Sequence, residues 1–252
     1  MARERMSVKI LTTAPSRKPV VALFDFDNTL YDYDLCHVPA VAEALRQLSS
    51  TFKVAHNSVQ SAFESARQKV KAELGSTAAA RNRLLYFHRT MEDLGFGPQV
   101  SEALRFENIY WEVYFSQMKV FPGAIDWIGH LKSMGVRIGL VTDQIAHIQF
   151  HKLLILKLAT TFDVVVTSEE VGAEKESGKP YLVAMRKLGM NLAAEVWMFG
   201  DTDVDIGAAK TTLGATTFHF TGSGAKLTAC SADVTFDDFG NLIEASKAWL
   251  TA

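Results

Sequence analysis

Two carboxylates two residues apart, Asp25 and Asp27, follow directly on the apolar run Val20-Val21-Ala22-Leu23 and its Phe24. A β-branched-rich run of that length reads as a buried strand. In an open α/β sheet, ligands bind beyond the carboxyl ends of such strands. Two acids this close repel unless a cation or a shared proton compensates them. A hard, oxygen-seeking ion such as Mg²⁺ meets that need, and it usually brings a phosphate with it. The plainer alternative is a solvated turn at a strand end.

Two further clusters sit in the same place relative to apolar runs. Thr142 and Asp143 follow Val136–Val141, and Gly200-Asp201-Thr202-Asp203-Val204-Asp205 follows Glu195–Phe199. The glycine permits a close backbone approach, and the acids offer a second cation-binding edge. An EF-hand is excluded, because its twelve-residue loop and terminal Glu are missing. A cation to balance the crowded acids is expected in Glu174-Lys175-Glu176-Ser177-Gly178-Lys179-Pro180, where Lys175 and Lys179 compete.

The string Asp25-Phe-Asp-Asn-Thr-Leu-Tyr31 resembles the first motif of the haloacid dehalogenase (HAD) superfamily, Asp-x-Asp-x-Thr after an apolar strand, in the form its phosphatase and nucleotidase branches use. Thr142 matches the second motif, although Asp143 stands where the family often has Asn or another small residue. Gly200-Asp201 with Asp205 resembles the fourth motif, Gly-Asp-x-x-x-Asp; Asp203 matches no family role. The third motif is a Lys, often followed by Pro. Counting from Lys175 puts Tyr181, Ala184 and Leu188 at the family's apolar places, whereas counting from Lys179 keeps the Pro but spoils that register. A helix must keep its buried stripe in phase, so Lys175 is the choice.

The elements needed to position these groups follow from periodicity. Residues 1–18 read as a loose lead-in closed by Pro19, and Tyr31–Asp34 as a linker. Helices are expected over 39–49 (opened by Pro39), 58–74 (capped by Asn57), 78–94 and 98–118. Phe106, Ile109, Tyr110 and Val113 in the last of these read as core. Strands are then expected at 136–141, 162–167, 195–199, 215–220 and 233–236, alternating with helices at 124–134, 145–158, 178–188, 204–213 and 240–250. Such alternation predicts an α/β fold with a parallel sheet covered by helices on both faces. The resemblance implies a Rossmann-like core, residues 19–34 and 120–252, with an all-helical cap domain at 35–119. Arg67, Lys69, Lys71, Arg81, Arg83 and Arg89 outnumber the acids nearby in that cap and read as a solvated helix face ahead of an anion site. His147 and His151 share a helix face without a third metal ligand, and Gly222-Ser-Gly224 is an ordinary loop.

At 252 residues, 48% hydrophobic and with a net charge of −2, the chain has room for one core and an insertion. The charge offers no case for binding a nucleic acid polymer or a membrane. Two distant cysteines, Cys36 and Cys230, exclude a disulfide framework and suit a reducing compartment. A cytoplasmic protein, monomer or homodimer, is the expectation.

The resemblance implies a Mg²⁺-dependent phosphatase of a small phosphorylated metabolite, nucleotide or sugar phosphate. Asp25 would be the nucleophile, Asp27 the general acid and base, and Lys175 the balancing cation. Thr142, Asp143 and Lys175 would cradle the phosphoryl group. Asp25, the backbone carbonyl of Asp27, Asp201 and Asp205 would hold the metal. A phosphomutase of the β-phosphoglucomutase type shares these motifs and is the alternative enzyme; a non-catalytic phosphate-binding regulator is the alternative outside catalysis.

Overall fold

Strand β2, Val21–Phe24, is buried at every residue because it lies at the centre of the sheet, and the rest of the molecule is arranged around its carboxyl end. The computed structural model describes residues 8–10, 15, 17–224, 226–229 and 232–250. The strand order is β1-β7-β6-β5-β2-β3-β4, with β1 Lys9–Ile10, β3 Arg137–Thr142, β4 Val164–Thr167, β5 Val196–Gly200, β6 Thr216–Phe220 and β7 Val234–Phe236. All neighbours run parallel except β1, which pairs antiparallel with β7 at the edge.

The period-2 alternation of the strands supplies two apolar faces. Val21 and Leu23 join Val141, Val166, Met198 and Tyr181 in one cluster, covered by α8 Lys179–Lys187 and α9 Asp203–Leu213. Ala22 and Phe24 face the other way, towards α5 Ala124–Ser133 and α10 Phe239–Leu250. On that second face Phe24, Phe199 and Phe218 stack across β2, β5 and β6, each pair with centroids 4.5 Å apart. This aromatic ladder ties together β2 and β5, the strands that lead into the acids, and their neighbour β6. Helix α6 Ala146–Ile155 and the single turn α7 Ser168–Val171 complete the crossovers on the β3–β4 side.

Between β2 and α5 the chain is helical: α1 Tyr33–Phe52, α2 His56–Leu74, a 3-10 turn Ala78–Arg81, α3 Arg83–Asp93 and α4 Val100–Gln117. Phe106 and Tyr110 are fully buried inside this bundle, as the aromatic stripe predicts. No described helix is long and apolar enough to cross a membrane.

Several elements differ from the sequence expectation. Helix α1 starts six residues before Pro39, because the Asp32 side chain caps it by accepting the Leu35 N–H at 2.9 Å. Pro39 then falls inside the helix at a solvent-exposed position, where the amide it cannot supply leaves no buried group unpaired on its own side chain's face. The expected linker at 31–34 is therefore a bridge strand, a cap and a helix start. Asn57 is not the cap of α2, which begins at His56 after Ala55. Within the lead-in, Lys9–Ile10 is an edge strand held by β7; residues 1–7, 11–14 and 16 lie outside the described residues.

Candidate active site

The register of β2 with β3 and β5 aligns Phe24 with Leu140 and Phe199, so the loops leaving these three strands open on one edge of the sheet. This is also where the chain order changes direction across the sheet, the position at which open α/β sheets bind ligands. Asp25, Asp27, Thr142, Asp143, Lys175, Asp201 and Asp205 all line one cavity of about 300 Å³ between this edge and the helical insertion. Asn28 turns the chain away from β2 at φ 63°, and its side-chain oxygen accepts the Tyr33 N–H at 2.9 Å. Asn tolerates this left-handed backbone better than most residues.

Asp25 is 4% exposed, and its two oxygens accept from Lys175 Nζ at 2.5 Å and Thr29 Oγ1 at 3.1 Å. Lys175 also donates to Asp205 in a short contact, and its own backbone N–H donates to Asp143 Oδ1 at 2.9 Å. Asp143 thus anchors the turn that carries the lysine, a role the motif comparison leaves unassigned. Asp205 serves twice: beyond Lys175 it closes a capping box with Thr202, accepting from Thr202 Oγ1 at 2.6 Å. Only glycine fits at position 200, because a Cβ there would lie 2.4 Å from that of Asp205. Lys179, by contrast, is exposed at the start of α8 and does not line the cavity. Thr142 is buried, and its hydroxyl accepts from Gln149 at 2.5 Å. Asp203 points elsewhere and holds the loop at Thr228 and Ala229.

One carboxylate oxygen each from Asp25, Asp201 and Asp205 lie within 4.8 Å of one another. Burial raises the proton affinity of Asp25, with Lys175 opposing and Asp205 adding to the rise. Burial and the Asp25 charge raise that of Asp201 in the same way. Two buried acids with raised proton affinity are a negative site short of positive charge. An all-oxygen donor set of this kind fits a hard divalent cation such as Mg²⁺.

The most informative contact is one that sequence reasoning misses. Lys152, fully buried on α6, donates to Asp27 at 2.8 and 3.2 Å, and Tyr31 makes a short hydrogen bond to the same carboxylate. Tyr31 in turn shares a 2.6 Å contact with the Tyr114 hydroxyl from α4. Burial alone would raise Asp27, but Lys152 and the Tyr31 hydroxyl outweigh it and hold the group ionised below its ordinary range. The available signal was a lone Lys among the apolar residues Ile148, Leu153 and Leu156.

The cationic helix face also differs from its expected solvated role. Lys69 and Arg89 do pair outward, with Asp93 and Glu73. Arg67, Lys71, Arg81 and Arg83, however, line the same cavity as Asp25. Arg81 grips Glu174 at 2.6 and 3.1 Å, tying the helical insertion to the Lys175 loop. His147 and His151 lie against each other, and His151 stacks on Phe115; among the described residues they join no metal-ligating cluster.

The family model for haloacid dehalogenase-like hydrolases matches residues 20–211, the stretch that contains every one of these groups. The chain belongs to that family. A ribulose-1,5-bisphosphate 5-phosphatase of Halopiger xanaduensis is 34% identical over 74% of this chain and 79% of its own length. A glyceraldehyde 3-phosphate phosphatase of Methanopyrus kandleri is 29% identical over 74% and 78%. Among solved structures, a HAD hydrolase of Bacillus subtilis with bound magnesium superposes at a TM-score of 0.65, with 19% identity, over 90% of this chain and 98% of its own. This HAD chain is accordingly a phosphoric monoester hydrolase.

Proposed function

We propose that this HAD hydrolase cleaves a small sugar phosphate with the help of Mg²⁺ and an aspartyl-phosphate intermediate. The observation that carries the reading is Asp25: a buried carboxylate at the central strand end, fixed by Lys175 and Thr29 and open to the cavity. The sugar-phosphate class rests on the two relatives named above, whose substrates are a pentulose bisphosphate and a triose phosphate.

An Asp25 oxygen attacks phosphorus in line with the ester oxygen; the new O–P bond forms as the ester P–O bond breaks. Asp27 delivers a proton to the departing alkoxide. The dianionic phosphate raises the proton affinity of Asp27 as it enters, which offsets the opposing pull of Lys152. Asp27 then takes a proton from the water that attacks the same phosphorus, and Asp25 is released with inorganic phosphate. Thr142 and Lys175 hold the non-bridging oxygens through both steps. Asp25, the Asp27 carbonyl, Asp201 and Asp205 are the groups that would hold Mg²⁺, which when bound supplies positive charge against the transferring group.

A screen of phosphorylated metabolites tests the reading. Inorganic phosphate is expected in step with substrate loss, dependent on Mg²⁺ and abolished by chelator. No release from any sugar phosphate would overturn it, and isomerisation without release would point to a mutase. Metal binding has its own signature. Asp25 and Asp201, raised to about 7 and about 8 in the metal-free protein, must give up protons to bind a cation. Mg²⁺ should therefore raise the melting temperature, and its apparent affinity should increase as pH rises through that window. A midpoint independent of pH would speak against these two acids as ligands.

Lys152→Met gives a further expected result. Removing the cation raises the proton affinity of Asp27, so the limb of the kcat profile that reports Asp27 should move to higher pH. A turnover loss of roughly tenfold should accompany that move, less than the roughly 10²–10⁴-fold a general acid–base group supplies, because Asp27 itself remains in place. An unchanged pH profile would mean that Lys152 only fills space.

A further inference from the structure

The cavity has an acidic floor and a basic roof, and the chemistry at the floor does not use the roof. At the floor, Asp25 and Asp205 already pair with Lys175, and with Asp201 they are the groups that would hold Mg²⁺. The roof cations are short of counter-ions of their own. Arg83 is 7% exposed, yet its hydrogen-bond acceptors are the Tyr33 hydroxyl at 2.7 Å and the Arg81 carbonyl at 2.5 Å. No carboxylate among the described residues forms an ion pair with it. Its guanidinium lies instead against the rings of Tyr86, Tyr110 and Trp111 at 5.6 to 5.8 Å. A buried charge held only by neutral oxygens and aromatic faces is expensive unless an anion arrives.

The exposed side chain of Lys71, one turn along α2 from Arg67, makes neither an ion pair nor a hydrogen bond among the described residues. Burial and the charges of Arg67, Arg81 and Arg83 lower its proton affinity, so it stands in a locally positive field. Among the described residues, Arg67 itself pairs only with Glu64, an exposed neighbour on its own helix. His37 reports the same field from a different element. Burial and then Arg83, Arg67 and Lys71 push it down to about 3. Arg81 is the exception, being neutralised by Glu174.

We infer that Arg67, Lys71 and Arg83 form a subsite for a second anionic group on the substrate, remote from the phosphate that reacts. The substrate class is a short phosphorylated sugar or sugar acid with a second phosphate or a carboxylate at its far end. This inference rests on the phosphatase reading and narrows its substrate. Binding energy collected at the roof would orient the reacting phosphate over Asp25.

Two matched pairs of substrates test it: ribulose 1,5-bisphosphate against ribulose 5-phosphate, and 3-phosphoglycerate against glyceraldehyde 3-phosphate. The first pair adds a phosphate and the second a carboxylate. In at least one pair, the member with the second anion should have the higher kcat/KM by about tenfold to a hundredfold, the worth of a charge-assisted contact or two. Whichever pair discriminates identifies the group the subsite takes. Lys71→Met and Arg67→Met should cut that preference by about tenfold, mainly through KM. Arg83 is packed among aromatic rings and its replacement risks the fold, so the more exposed pair carries the test.

Equal kcat/KM within both pairs, or an equal loss for both members in the variants, would overturn the subsite. The phosphatase reading would survive that result. Should no substrate turn over, calorimetric binding of the same pairs to the Asp25→Asn protein still decides the subsite: tighter binding of the doubly anionic member supports it, and equal binding removes it.

Discussion

Asp25→Asn should reduce phosphate release from an aryl phosphate or a sugar phosphate by on the order of 10⁴-fold or more, in protein that remains folded. The amide matches the carboxylate in shape but lacks the charge and the lone-pair basicity to attack phosphorus. Its effect on stability should be small, because two contributions oppose each other. The variant loses the 2.5 Å ion pair with Lys175. It also relieves the repulsion among Asp25, Asp201 and Asp205, and the cost of burying one of three crowded carboxylates. A melting temperature within a few degrees of the native protein, with the far-ultraviolet spectrum retained, is the control. Residual turnover within tenfold of the parent in such folded protein would exclude a covalent aspartyl intermediate.

The groups legible in the sequence are those whose signal is local. Asp25 and Asp27 follow a strand-length apolar run, Asp201 follows another, and each needs only its immediate neighbours to be read. The order of strands and helices in the sheet domain is legible for the same reason. What escapes is set by partners far along the chain. Lys152 meets Asp27 across 125 residues, and Arg81 meets Glu174 across 93. A lone Lys among apolar residues marks position 152 as unusual, but neither α6 nor the 3-10 turn that carries Arg81 names the distant partner. Which side of a cationic helix faces the cavity is likewise decided by packing, so Arg67 and Lys71 look no different in sequence from Lys69 and Arg89. The two-residue strand β1 is too short for any periodicity and exists through β7. The early start of α1 depends on a single side-chain cap at Asp32, which outranks the more visible Pro39.

The choice between Lys175 and Lys179 carries the second large effect. The surrounding structure gives the two lysines very different work. Lys175 reaches both Asp25 and Asp205, and its backbone is fixed by Asp143. Lys179 begins α8 in solvent, its backbone N–H donating to Ser177 Oγ at 3.3 Å. Under the proposed mechanism, in which Lys175 balances Asp25 and the transferring phosphoryl group, Lys175→Ala should lower turnover by on the order of a hundredfold or more. It also leaves Asp25 and Asp205 buried without their cation. A loss of about 3–5 kcal/mol is the usual scale for one-sided removal from a buried ion pair. Part of that loss should return when Mg²⁺ is added if the ion binds as proposed, because it would supply charge to the same acids. Lys179→Ala should change stability by no more than about 0.5 kcal/mol, the range for exposed positions, and turnover by less than about threefold. Steady-state kinetics and melting curves of both variants, with and without Mg²⁺, decide the matter. Greater damage from Lys179→Ala would mean that the helix register, and with it the assignment of the balancing cation, is wrong. A Lys175→Ala protein that is destabilised but turns over normally would make the lysine a structural counter-ion and leave the phosphoryl cradle to Thr142 and the metal.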